Sequence, residues 1–151
     1  MQTRRETLQH SAIVAGLLVS AGLLPQQALA YNKGAFEAKT LAEAVKILGA
    51  DAPVESADVT IGGPDIAENG AVVPLTASSS LAGVKQLLFL VEKNPSALVA
   101  LFNLTDSVEA NIATRTKMGQ SSNVYAVAIL ANGKAFFAKK EVKVTLGGCG
   151  G

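Results

Sequence analysis

The spacing of apolar residues changes three times along this chain. From Ala12 to Leu24 it is almost unbroken. Leu41, Ala44, Val45 and Leu48 then follow i, i+3, i+4, i+7, the period of a helix with one apolar face. Thr40 and Glu43 are spaced as the N-cap and third residue of a capping box, and Gly49 suits the C-terminal cap. Asp51-Ala52-Pro53 ends this short helix, whose apolar face would cover a sheet. Beyond it the period drops to two, or the apolar residues run together, as strands require.

Seven strands are predicted. Ala57 to Ile61 is closed by the turn residues Gly62-Gly63-Pro64-Asp65. Glu68-Asn69-Gly70 reads as a turn leading into Ala71 to Thr76, where Pro74 predicts an edge strand or a bulge. Val84 to Glu92 holds Leu87-Leu88-Phe89-Leu90-Val91, a run that predicts burial on both faces. Asn94-Pro95 breaks it before Ala97 to Leu104. Val108 to Met118 alternates, with Val108, Ala110 and Ile112 on one side and Glu109 and Asn111 on the other. Val124 to Leu130 and Ala135 to Leu146 flank Asn132-Gly133, read as a type I′ hairpin turn. Short strands with turns every 10 to 15 residues or so predict an antiparallel β-sandwich.

After Leu146 the pattern gives way to Gly147-Gly148-Cys149-Gly150-Gly151. Glycine lacks a Cβ and visits both signs of φ, so this segment is expected to stay mobile and to pack nothing. Extended at roughly 3.5 Å per residue, five residues reach about 17 Å. Cys149 is the one cysteine in the sequence. A cysteine bound for a core would sit among strand or helix formers, whereas this one reads as a thiol on a tether. An ordinary thiol, with pKa near 8.5, is about a few per cent thiolate at neutral pH. No residue of the tail would activate it, so activation is left to whatever pocket receives it. A chance cysteine at a loose terminus is the bland alternative.

The first 30 residues read as an export signal. Arg4 and Arg5 supply positive charge, and the apolar stretch is about 13 residues, short of the roughly 20 a membrane-spanning helix needs. Ala28-Leu29-Ala30 is an Ala-x-Ala cleavage site, placing the mature start near Tyr31. Thr3-Arg4-Arg5-Glu6-Thr7-Leu8-Gln9 resembles a twin-arginine signal, with Thr7 and Gln9 where Phe and Lys are common. The domain plan is therefore 1–30 leader, 31–146 β-sandwich and 147–151 thiol-bearing arm. Losing Arg4, Arg5 and Glu6 takes 13 Lys+Arg and 12 Asp+Glu down to 11 of each. A neutral chain with no basic run points away from nucleic acid and anionic membranes. His10 is the sole histidine and leaves with the leader, so no Ser-His-Asp, Cys-His or His-based metal site is available, and no cofactor motif stands out.

Three stretches resemble the SoxY family, the carrier subunit of the periplasmic thiosulfate-oxidising system. They are Val91-Glu92-Lys93-Asn94-Pro95, Thr114-Arg115-Thr116-Lys117-Met118-Gly119-Gln120, and Lys140 through Leu146 with the Gly-Gly-Cys-Gly-Gly tail. The resemblance implies an immunoglobulin-like sandwich and a stable heterodimer with a second small β protein, SoxZ. It further implies that Cys149 is the covalent attachment point for sulfur intermediates, with Gly147, Gly148, Gly150 and Gly151 as the arm. A c-type cytochrome would load the thiol, a hydrolase would release sulfate, and a sulfur dehydrogenase would process the remainder. The chain itself would catalyse nothing.

Two other readings stand beside this one: an exported β-sandwich module that cross-links through its single cysteine, and a thiol enzyme, which the missing histidine argues against. Arg115, Lys117 and the Lys139-Lys140-Glu141 cluster read as solvated faces, and Ser78-Ser79-Ser80 as a loop without a base to activate it.

Overall fold

The computed structural model describes residues 32–146. The expected leader and the Gly147–Gly151 arm lie outside them. Nine strands and two helices are present among the described residues, against about seven strands and one helix expected. The helices are α1 (Lys33–Glu37) and α2 (Leu41–Ile47). The strands are β1 (Val54–Glu55), β2 (Val59–Gly62), β3 (Ile66–Asn69), β4 (Val73–Ser79), β5 (Val84–Val91), β6 (Leu98–Asn103), β7 (Asn111–Thr116), β8 (Ser122–Leu130) and β9 (Ala135–Leu146).

Two sheets face one another. The larger runs β1-β9-β8-β5-β6, with β3 also paired to β9, and the smaller runs β2-β4-β7. The β5, β6, β8 and β9 pairings are antiparallel, whereas β1 and β3 lie parallel to β9. Two apolar layers explain the unbroken Leu87–Val91 run. Leu87, Phe89 and Val91 point between the sheets with Val124, Ala126 and Ala128. Leu88 and Leu90 point the other way, with Val127 and Ile129, beneath Ala35, Ala38, Ala44 and Val45 of the helical segment. The large sheet is therefore covered on both faces, and β5 is apolar on both, as expected.

The helix α2 has the expected caps. The Thr40 hydroxyl accepts from the Glu43 N–H at 3.2 Å, and Gly49, at φ 79°, closes it in the left-handed region. The Gly49 N–H donates to Lys46 O and the Ala50 N–H to Val45 O, a Schellman ending. The Glu43 carboxylate accepts from Lys39 N–H at 2.9 Å, one residue before the expected partner.

Four local expectations are corrected. The Asn132-Gly133 turn is not type I′, because Gly133 is at φ 83° while no non-glycine residue has positive φ. The Gly133 N–H instead donates to Leu130 O, and the Leu130 N–H to Lys134 O, giving a three-residue loop with glycine at the left-handed bulge position. Strand β4 is the central strand of its sheet; Pro74 fits because β2 pairs only with Thr76–Ser79, leaving Pro74 opposite Arg115 alone. Glu68 and Asn69 belong to strand β3 rather than to a turn. Ser78 and Ser79 end β4 instead of lying in a loop, and the Ser78 hydroxyl is 2.6 Å from that of Thr60.

Candidate functional site

Strand β9 leads to Cys149, and its last residues are fastened on both edges. On one edge Ile66, Ala67 and Asn69 of β3 pair with Lys143, Val144 and Leu146. Lys143 N–H donates to Asp65 O at 2.9 Å, and the Thr145 hydroxyl to Glu68 O at 2.9 Å. On the other edge β8 begins only at Ser122, opposite Val142. Past that point the Ser121 hydroxyl takes over, accepting from Val144 N–H at 2.9 Å and donating to Val144 O at 3.4 Å. Pairing is thus carried to Leu146, five residues from Gly151.

The three stretches singled out in the sequence meet at this end of the sandwich. The Asn94 side chain, from the β5–β6 turn, donates to Lys117 O at 2.8 Å and accepts from Gly119 N–H at 3.4 Å. Met118 is fully buried, and its N–H reaches Gly70 O, in the β3–β4 turn, at 2.8 Å. Lys93 N–H donates to the Ser122 hydroxyl at 3.0 Å, and Ser122 is the one buried polar residue among those described. The Glu92 carboxylate accepts from Asn123 at 2.8 Å and from the Tyr125 phenol at 3.4 Å. The sequence pattern marks Asn94-Pro95 only as a breaker and does not single out Ser121 or Ser122. Their polarity at strand ends is the available signal.

Charges around β9 hold the edge loops. Lys140 reaches Gly63 O at 2.6 Å and the Asp65 carboxylate at 2.9 Å. That ammonium, by hydrogen bond and by charge, lowers the Asp65 carboxyl below its usual range. Lys139 pairs with Glu55 at 3.4 Å, so this cluster ties strands together rather than only facing water. Arg115 and Lys117 are exposed, as a solvated face would be. A 580 Å³ cavity lined by Ser79, Thr105, Asp106 and Glu109 lies at the opposite end of the sandwich, and a 280 Å³ apolar one lies under α2 beside Tyr125. Among the described residues, no group of three or more His, Cys, Asp or Glu is placed to hold a metal ion, and no helix is long and apolar enough to cross a membrane. Gly147, Gly148, Cys149, Gly150 and Gly151 lie beyond the described residues.

A two-sheet sandwich of immunoglobulin-like type, with its last strand clamped at both edges just ahead of a glycine-framed thiol, is the class defined by these features. The chain belongs to the family of sulfur oxidation protein SoxY, whose model matches residues 44–149 and so reaches Cys149. It is similar to the sulfur carrier protein SoxY from Chlorobium limicola f thiosulfatophilum, at 35% identity and a TM-score of 0.56, over 62% of this chain and 86% of that one. A superoxide reductase (neelaredoxin) from Ignicoccus hospitalis shares the fold at 16% identity and a TM-score of 0.52, over 60% of this chain and 82% of that one. Another form of that reductase matches at 14% identity and a TM-score of 0.51, over 66% and 86%. No curated protein matches the chain.

Proposed function

We propose that this chain carries sulfur intermediates bound to the Sγ of Cys149 and presents them to successive enzymes of thiosulfate oxidation. Membership in the SoxY family supports a carrier rather than a catalyst. The observation that carries the reading is structural: the three SoxY-like stretches converge on the end of the strand that leads to the thiol. A rigid root followed by four glycines around one cysteine suits a group that must enter several pockets in turn.

The chemistry follows from what a thiol can do. Coupling Cys149 to thiosulfate forms one S–S bond between Sγ and the outer sulfur. One proton and two electrons leave, the electrons passing to a c-type cytochrome. Hydrolysis of the terminal sulfonate with one water then releases sulfate and one proton and leaves a persulfide, S–SH, on Sγ. The chain supplies neither an electron acceptor nor a base for these steps, so both fall to the partners. Residues 1–30 would direct export to the periplasm by the twin-arginine route, where the mature chain would pair stably with SoxZ. Because that route passes folded proteins, a SoxZ subunit without a signal could leave the cytoplasm bound to this chain. The loading cytochrome, the sulfate-releasing hydrolase and the sulfur dehydrogenase would dock in passing.

Cys149→Ser tests this directly. Serine cannot form an S–S bond, so thiosulfate oxidation in a reconstituted system should fall to background. The melting temperature should hold, since the glycine-framed sequence around Cys149 predicts no core contact, and substitutions outside a core usually stay within about 0.5 kcal/mol. Sulfur adducts on protein taken from its native periplasm should map by mass to the C-terminal peptide. Full oxidation by the variant would overturn the carrier reading.

A further inference from the structure

We propose that Ser121 is a positioning residue that sets the effective length of the thiol arm; this rests on the carrier reading above. Backbone groups alternate in direction along β9. Lys143 turns its N–H toward the β3 side, where Asp65 O accepts it. Val144 turns its N–H and C=O the other way, toward β8. There β8 has already ended, because Ser122 pairs with Val142 and is its first residue. Two backbone groups of Val144 would face a gap, and one side-chain hydroxyl fills it in both roles, acceptor at 2.9 Å and donor at 3.4 Å. A hydroxyl can do this because it carries one donor and two acceptor lone pairs. The side chain of Ser121 thus acts as one more rung of a strand whose backbone has turned away.

The root of the arm follows from that rung. With it, β9 is paired on both edges through Val144, and three residues separate Leu146 from Cys149, counting the cysteine. Without it, Val144 to Leu146 are held by the β3 edge alone, through the pairing of Leu146 with Asn69 and the Thr145 hydroxyl on Glu68 O, and the end frays more often. Each time Thr145 and Leu146 fray, the tether grows from three residues to five. The concentration of a tethered group at a fixed point falls as about the −3/2 power of tether length, so the thiol would be about twofold scarcer at a receiving pocket. Ordering the extra residues on entry adds to that loss. Ser121 is held by the same end that carries Asn94, Met118 and Ser122, so its hydroxyl is aimed by a packed segment rather than by a loose loop.

The experiment uses the full chain with its partners. Ser121→Ala should speed amide hydrogen exchange at Val144 by about five- to tenfold, the size of one ordinary hydrogen bond, while exchange across β5 and the rate of Cys149 alkylation by iodoacetamide stay unchanged. In reconstituted thiosulfate oxidation kcat/KM for the carrier should fall by about twofold or more, and Ser121→Thr should restore both exchange and rate. Inserting two glycines after Leu146 in the parent chain should reproduce the kinetic loss, and adding Ser121→Ala to that insertion should cost less than it does alone. An unchanged Val144 exchange rate, or an unchanged kcat/KM with exchange accelerated, overturns the proposal. Were Ser121→Ala to unfold the domain, the glycine insertion decides: full activity with the longer arm overturns it. Failure of the carrier reading is a separate result, seen as full oxidation by Cys149→Ser.

Discussion

The Tyr125 ring lies on the helix-covered face of the large sheet, 5.9 Å from the Phe137 ring, with its hydroxyl toward Glu92. Burial first, and the negative Glu92 second, raise its pKa above the ordinary 10.0. Below pH 10 the phenol is neutral in both folded and unfolded chains, and its contribution to stability is complete. As pH climbs past about 10 the unfolded chain ionises first, so stability falls until the folded phenol also ionises. Tyr125→Phe should therefore flatten the alkaline decline, measured by urea unfolding at steps between about pH 9 and pH 11. Parallel declines in the two proteins would show that the phenol titrates alike in both states. None of this is readable beforehand. The sequence places Tyr125 in a strand, but its partners Glu92 and Phe137 come from separate parts of the chain, and only the β5-β8-β9 order brings them together.

Helix α2 was legible because its signals are local: one face, one N-cap and one glycine at the end. Replacing Thr40 by Ala removes the hydroxyl that accepts from Glu43 N–H and should cost about 1 kcal/mol. In a domain of this size that corresponds to a drop of about 4 °C in melting temperature, read by calorimetry. A loss below about 0.3 kcal/mol would mean that solvent replaces the cap. The strands differed in legibility for the same reason. Strand β5 announced itself by five successive apolar residues. Strands β1 and β3 are two and four residues long, and they exist because β9 offers a parallel edge to each. No local pattern in Val54-Glu55 or Ile66–Asn69 could show that. The Asn132-Gly133 pair marked the hairpin correctly and its turn type wrongly. The glycine alone takes positive φ, and Asn132 instead accepts from the Lys134 N–H at 3.1 Å.

Two apolar layers share the large sheet, so the domain should unfold as one body. Leu87 faces the small sheet and Leu88 faces the helices, and both are fully buried. Leu87→Ala and Leu88→Ala should each destabilise by about 3 kcal/mol. Both should leave the dependence of stability on urea unchanged, since that slope reports the surface exposed on unfolding. A shallower slope for Leu88→Ala alone would mean that the helical layer comes away first. The candidate site divides in a similar way. Cys149 and its glycines stood out by composition, and the Val91–Pro95 and Thr114–Gln120 stretches by resemblance. Their meeting at one end depends on Asn94 reaching Lys117 and Gly119 across 23 and 25 positions of chain, a closure that no local signal encodes.

The two-sided fastening of β9 has a mechanical consequence. Under the carrier reading, an enzyme that grips the end of the chain and lets go would apply a pull, and where that pull runs along the strand it would load the bonds to β8, β1 and β3 in shear, side by side. Peeling a strand from one edge breaks its bonds in turn, whereas shear must break many together. A strand of 12 residues anchored on both edges should therefore pass such a load into the sandwich without giving way. Repeated capture and release would then stretch the glycines and spare the body, leaving the thiol to return from the same starting point each time.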